Sequence, residues 1–218
     1  MTIRVFLADD HAVLRDGLRL ILESQPDIRV VGEAADGREA VRQVRELPPD
    51  VAILDITMAN LNGIEAAGQI AKHCPAVKVI ILSMHSSAEY VHRALRAGAR
   101  GYLLKESVGR EVILAVRRVV AGQRYLSERL SADLLADAAF RSDGVPGVPT
   151  LEQLSPRERE VMQLLVEGRS GKEIAEALDI SPKTVDTYRS RLMEKLGVDN
   201  LPALVQFAVR NGVIAPGK

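Results

Sequence analysis

The sequence has a single cysteine, Cys74, so no disulfide can close within the chain and no zinc site can be built on thiolates. A lone thiol fits a reducing compartment and reads here as a small core hydrophobe. Net charge is equally scarce. The 29 Lys and Arg residues are matched by 29 Asp and Glu, so any attraction to a polyanion has to come from local clustering, not from a whole-chain field. Long apolar runs are missing as well. The opening MTIRVFLADDH holds one short apolar stretch followed at once by acids, which is neither a signal peptide nor a membrane anchor. A cytoplasmic protein with no membrane contact is expected. Low-complexity bias is absent too, and 47% hydrophobic with 27% charged residues is ordinary globular usage.

What is present is a regular alternation. A chain of 218 residues has room for two compact units, and the pattern changes partway along. From Ile3 to about Gly122 short β-rich runs (IRVFLA, RVVGEA, VAILD, KVIILS, GYLL) alternate with helical periodicity near residues 11–24, 37–47, 62–74, 87–97 and 107–121. Five βα repeats predict an α/β fold, a flavodoxin-like doubly wound five-stranded parallel sheet. Gly98 and Gly101 are placed for a helix C-cap and a tight turn into the last strand. Next, SERLSADLLADAA predicts a short helix and RSDGVPGVPT a linker. From Leu151 on, the pattern is purely helical. The expected division is therefore 1–122, a linker with a short helix over 123–150, and a small all-α unit over 151–218.

The strand ends carry the chemistry. Asp9 and Asp10 follow the first strand and Asp55 closes the third, and a 2-1-3-4-5 order puts those strands side by side with their carboxyl ends at the binding crevice. Converging carboxylates repel in a partly desolvated cleft. They call for a proton or a hard divalent cation, with Mg²⁺ the natural oxygen-liganded candidate. Such a cation invites phosphate and leaves Asp55 free to act as a nucleophile. Lys105, past the fifth strand, brings a second cation, and Ser83, ending the fourth, a hydroxyl. Taken singly, Asp9 or Asp10 reads as a helix cap and Asp55 as turn chemistry. Five apt residues at successive strand ends outweigh that reading.

In this order, ADDH, LDITM, ILSMH and GYLLK resemble the receiver domain of response regulators across the whole first unit. The resemblance implies that Asp55 is the phosphoacceptor and that Asp9, Asp10 and Asp55 with the Thr57 carbonyl hold Mg²⁺. It makes Ser83 the sensor of the phosphoryl group, Lys105 its ion-pair partner and Tyr102 the aromatic that rotates inward when the serine moves. Thr57 and His85 fall at positions that tune phosphoaspartate lifetime. For Tyr102 and His85 a half-buried aromatic and a surface imidazole are equally consistent readings. Ala59 and Glu106 stand where the wider pattern has prolines, which puts local loop geometry in question.

In the second unit, LSPREREV opens a helix with Ser155 as N-cap, Pro156 at the first position and Glu158 completing a capping box. GRSGKEIAEALDISPKTVDTYRSRLMEKL then gives two helices joined through Asp179, Ile180 and Ser181, a helix-turn-helix signature. Val185, Leu192 and Leu196 share one face of the second helix. Lys183, Arg189, Arg191 and Lys195 outnumber Asp186 and Glu194 along it, a modest local positive field. This segment resembles the LuxR-type helix-turn-helix. With the receiver, the chain is identified as a member of the NarL/FixJ family of two-component response regulators. The resemblance places Asp186, Thr187 and Ser190 at base edges and Lys183, Thr184, Tyr188 and Arg189 near phosphates. An acid such as Asp186 prefers cytosine amino groups. Gly171 departs from a common asparagine and could loosen its helix start. The last helix either supplies a dimer contact on DNA or closes the core.

The implied function is phosphorylation of Asp55 by a cognate sensor histidine kinase that controls binding of a homodimer to double-stranded DNA, without conventional enzymatic turnover. Two other readings stay open. A Mg²⁺-dependent phosphohydrolase would use the same acids, but the adjacent Asp9–Asp10 pair stands where a spaced pair is expected. A phosphorylation-independent transcription factor would use the receiver only for dimerisation, and equal DNA affinity with and without phosphate would mark it.

Overall fold

Strands that are apolar on both faces need helices on both sides, and the first unit is built that way. A computed structural model describes residues 2–130 and 151–214. In the first of two compact units, β1 (Ile3–Ala8), β2 (Ile28–Ala34), β3 (Val51–Asp55), β4 (Lys78–Ser83) and β5 (Gly101–Leu104) alternate with α1 (Ala12–Glu23), α2 (Gly37–Glu46), α3 (Gly63–His73), α4 (Ala88–Arg96) and α5 (Val108–Val120). The sheet is parallel and follows the expected order, with one addition. A two-residue strand, β6 (Tyr125–Leu126), pairs with β5 and makes the order β2-β1-β3-β4-β5-β6. Two residues carry too little periodicity to be read from sequence.

Period-two alternation divides the strand side chains between two cores. Leu7, Ile53, Ile80, Leu82 and Leu103 pack with Leu18 and Leu22 of α1 and Val112 and Val116 of α5. Phe6, Ala52, Leu54 and Ile81, one residue out of phase, are equally buried. With both faces occupied, the register is fixed. Ala8 pairs with Leu54, Asp55 with Leu82, and Ser83 with Leu104, which aligns the carboxyl ends of β1, β3, β4 and β5.

Glycines finish the edge. Gly98 sits at φ +104° just past Ala97, the C-cap of α4, with Ala99 N–H reaching back to the Ala94 carbonyl at 3.0 Å. Gly101 opens β5 instead of making a turn. A Cβ there would lie 3.1 Å from Ile80 Cγ1, so its reason is close packing. Gly63 starts α3 beneath the end of β3. Its N–H donates to the Ile56 carbonyl at 2.9 Å, and Asn62 caps the helix by accepting from the Ile64 and Glu65 amides. The proline-less loop before it holds a tight turn, with Asn60 at φ +64° and Leu61 N–H donating to the Ala59 carbonyl at 2.7 Å.

The second unit is all helix among its described residues: a 3-10 turn (Leu151–Gln153), then α6 (Pro156–Val166), α7 (Gly171–Leu178), α8 (Pro182–Leu196) and α9 (Leu201–Arg210). Ser155 and Glu158 form the expected capping box. A second box, Ser170 with Glu173, secures the start of α7, so Gly171 does not loosen it. Asp179 in the left-handed region at φ 52° makes the sharp turn into α8, whose cap is Ser181. Val161, Leu164, Ile174, Val185, Leu192 and Leu204 close one core. A helical turn begins at 128–130, and the rest of the short helix and linker expected up to residue 150 lies outside the described residues. No described helix is long and apolar enough to cross a membrane.

A Cβ on Gly63 would lie 2.0 Å from the Asp55 carbonyl oxygen, a backbone atom with nowhere to move. Gly63→Ala is therefore expected to lower unfolding free energy by about 2–4 kcal/mol. Urea unfolding of the full chain checks this, and a loss below about 0.5 kcal/mol, an ordinary surface change, would contradict it.

Candidate functional site

β1 and β3 end side by side, and their last residues bring Asp9 and Asp55 into one crevice, 0% and 2% exposed. Asp10 stands half-buried beside them. One ligand atom from each of Asp9, Asp10, His11 and Asp55 lies within 4.8 Å of the others. Neither Asp9 nor Asp10 is the cap of α1. That position is His11, whose side chain makes no capping bond, so the helix-cap reading of these acids does not hold. Asp9 Oδ1 instead accepts from His11 N–H at 2.8 Å, and His11 Nδ1 lies 2.8 Å from Asp10 Oδ1.

Lys105, in the 3-10 turn Lys105–Ser107 that follows β5, reaches into the same crevice. Asp9 Oδ2 and Asp55 Oδ2 are sealed from solvent. What faces them is the Lys105 ammonium, 2.9 and 2.8 Å away. Burial pushes the Asp55 carboxyl up to about 6, the negative charge of Asp9 adds to it, and Lys105 opposes both. Burial alone would lower Lys105, but attraction to Asp55 and Asp9 prevails and raises it. One cation shared by buried acids leaves the cluster rich in negative charge. That donor set fits a hard divalent cation. Thr57 lies half-buried in the bend two residues past Asp55.

Ser83, buried at the end of β4, accepts from His85 N–H at 2.9 Å. Tyr102 is fully buried, not half-buried, and its hydroxyl donates to the His85 carbonyl at 2.8 Å. The ring is thus already inward. Burial pushes that hydroxyl well above its ordinary range, so it remains a donor. His85 is half-buried and not a free surface imidazole, and burial lowers it. Glu106, where a proline is common, ion-pairs with Arg129 at 2.6 Å.

Sequence reasoning missed four supports. Arg15 Nη1 donates to the Asp9 carbonyl at 2.6 Å while its Nε pairs with Glu33 at 3.1 Å, which pins the end of β1. Ser127 Oγ, fully buried, accepts from Leu104 N–H at 3.0 Å, and its own N–H donates to the Tyr102 carbonyl, which braces the strand before Lys105. Gly63 underlies Asp55, and His11 joins the acids. Only His11 gave a signal in sequence, by adjacency; the others act through backbone atoms that no side-chain pattern marks.

In the helical unit, α8 turns Val185, Leu192 and Leu196 inward and leaves Lys183, Asp186, Thr187, Arg189, Ser190 and Arg191 exposed. Thr184 is half-buried with its hydroxyl 2.8 Å from Ser181 Oγ, and Thr187 donates to the Lys183 carbonyl at 3.0 Å. Tyr188 is half-buried against the core. Lys195 lies 2.7 Å from Glu158 Oε2. Glu158 also accepts from Ser155 N–H at 2.7 Å. Burial would raise this carboxyl, but Lys195 and Ser155 hold it below its ordinary value. The pair ties the last turn of α8 to the first turn of α6.

Comparison with known proteins agrees with this geometry. Residues 5–117 match the response regulator receiver domain family, and residues 152–208 match bacterial regulatory proteins of the luxR family. The oxygen regulatory protein NreC of Staphylococcus aureus is 38% identical over 97% of this chain and 99% of its own. A LuxR-family two-component response regulator from Aurantimonas superposes with a TM-score of 0.62 at 35% identity, over 64% of this chain and 99% of that one. An RcsB structure solved with DNA gives 0.59 at 28% identity, over 97% and 99%.

Removing the shared cation leaves buried carboxylates facing one another. Lys105→Met, without added metal, is expected to cost about 3–5 kcal/mol of stability at pH 8. The cost should shrink at pH 5, where Asp55 takes up a proton. Urea unfolding at the two pH values measures both, and an equal loss at each would contradict the shared-cation picture.

Proposed function

The chain belongs to the NarL/FixJ family of two-component response regulators, with a receiver domain and a LuxR-type DNA-binding domain, and from that we propose that phosphorylation of Asp55 by a sensor histidine kinase controls its binding to DNA. The observation that carries the reading is the crevice itself. Asp55 is buried within 2.8 Å of Lys105 and beside Asp9 and Asp10.

Asp55 supplies the nucleophilic oxygen. Its carboxylate attacks the phosphorus of a phosphohistidine, forming an O–P bond as the N–P bond breaks and the pair returns to the imidazole. Asp9, Asp10, Asp55 and the Thr57 carbonyl would hold Mg²⁺, which when bound neutralises charge on phosphoryl oxygens. Lys105 needs little movement to serve a phosphoryl oxygen, since its ammonium already rests against the accepting oxygen. Ser83 offers its hydroxyl from the next strand. Engaging it draws on the His85 amide and, through the His85 carbonyl, on Tyr102. The result is a population shift of the β4–α4 face, ending in a homodimer on double-stranded DNA. The protein is a phosphorylated switch, not a turnover enzyme, and acts in the cytoplasm.

On DNA, Asp186, Thr187 and Ser190 would face bases, and Lys183, Thr184, Tyr188 and Arg189 phosphates. Exposure supports Lys183 and Arg189 most directly. Tyr188 is half-buried, its side chain packed in part against the core.

Two measurements test the proposal. Incubation with acetyl phosphate and Mg²⁺ should add one phosphoryl group to the intact mass of wild type and none to Asp55→Asn; equal gain in both would refute the acceptor assignment. On random-sequence duplex DNA, Arg189→Ala should reduce the slope of log affinity against log salt by about one, and an unchanged slope would remove Arg189 from the phosphate contacts.

A further inference from the structure

The turn that carries Lys105 is held by residues that come after the sheet in sequence. The pairing of β6 with β5 stops at Leu126 and Tyr102, short of the end of β5, and Ser127 takes over from there. Its N–H donates to the Tyr102 carbonyl at 3.0 Å, and its hydroxyl accepts from Leu104 N–H at 3.0 Å. A side chain thus supplies the last rung of the sheet at this edge. Ser127 and Leu104 are 0% and 3% exposed, so the amide is shielded from water and loss of its acceptor is costly.

Leu104 leads directly into Lys105, whose 3-10 turn closes through Val108 N–H to the Lys105 carbonyl. A second hold on that turn is ionic. Arg129 pairs with Glu106 at 2.6 Å, where the proline of the wider receiver pattern could make no such pair. Arg129 and Ser83 also line one cavity of about 150 Å³. Both members of the ion pair are more than half exposed, and exposed pairs contribute little. A hydrogen bond of ordinary net strength corresponds to about two- to tenfold in an equilibrium constant, so Ser127 is the stronger hold. Beyond it, Leu130 N–H donates to the Ser127 carbonyl at 2.9 Å, within the helical turn that begins at 128–130. One residue therefore grips β5 with its hydroxyl and the segment by which the chain leaves the sheet with its carbonyl.

We infer that Ser127 is a positioning residue for Lys105: by fixing the Leu104 amide it sets the turn that aims the ammonium at Asp55, and it couples the segment that leaves β6 to the phosphoryl site. The inference rests on the proposed role of Lys105 toward the phosphoryl group. Ser127 acts only through Leu104, since the ammonium itself meets Asp9 and Asp55. The coupling is reciprocal. A shift of Lys105 toward a phosphoryl oxygen is felt at residues 127–130, and a displacement of those residues is felt at Lys105.

The test compares full-length wild type, Ser127→Ala, Ser127→Cys and Arg129→Ala, with Asp55→Asn as the control that takes up no phosphate. Cysteine keeps the shape of the side chain and accepts a hydrogen bond only weakly. Two readouts are taken: the rate of phosphoryl uptake from acetyl phosphate and Mg²⁺, and hydrogen exchange of the Val108 and Leu130 amides with and without that donor. Ser127→Ala and Ser127→Cys should each speed Val108 exchange and slow uptake by about two- to tenfold, and Arg129→Ala should do less than either. Phosphorylation should change Leu130 exchange in wild type, and the donor should leave it unchanged in Asp55→Asn. Should Ser127→Ala fail to fold, the cysteine variant carries the comparison. Wild-type Val108 exchange and uptake in Ser127→Cys would make the serine a packing residue and overturn the inference. Leu130 exchange that is the same before and after phosphorylation of wild type would overturn it too. If wild type takes up no phosphate, the acceptor reading fails, and Val108 exchange alone decides whether Ser127 positions the turn.

Discussion

Two buried carboxylates sharing one ammonium set the terms for the rest of the first unit. Asp9 and Asp55 can lie this close only because Lys105 stands 2.9 and 2.8 Å from them, and an uncompensated pair would be costly in so dry a crevice. Much of the surrounding structure keeps those three groups in place. Arg15 fixes the end of β1, Gly63 admits the end of β3, and Ser127 braces the end of β5. The same compression leaves Asp55 with a raised proton affinity, and the donor set around it suits a hard divalent cation.

The second unit solves a different problem, that of presenting one helix rigidly from a chain with no net charge. Its device is also an ion pair, between the buried Glu158 and the exposed Lys195, but here the acid is additionally satisfied by the Ser155 amide, so the pair is structural. Lys195 is spent on that pair. The positive field along the outward face of α8 therefore comes from Lys183, Arg189 and Arg191, which is weaker than the sequence count of four implied. Asp186, Thr187 and Ser190, the residues proposed to face bases, are exposed on the same helix, and the hydroxyl of Thr187 is already bonded to the Lys183 carbonyl.

The sheet, its order and the helices around it were legible in sequence because two-sided burial writes continuous apolar runs into strands and helical periodicity between them. The acids, Ser83 and Lys105 were legible because strand ends are located by those runs. What escaped had no pattern to leave. β6 is two residues long. Gly63 matters for an atom it lacks, and Arg15 and Ser127 act on backbone carbonyls and amides. The state of Tyr102 was not decidable either, since whether an aromatic lies inward depends on a neighbour's carbonyl.

If the crevice is governed by charge crowded around Asp55, protons and divalent cations must compete for the same oxygens. Calorimetric titration of wild type with Mg²⁺ across pH 4.5 to 8 tests that competition directly. Affinity should be level above about pH 6, where Asp55 is ionised, and fall towards about tenfold per pH unit below it. An affinity that does not change with pH, or no measurable binding at pH 7.5, would contradict the account.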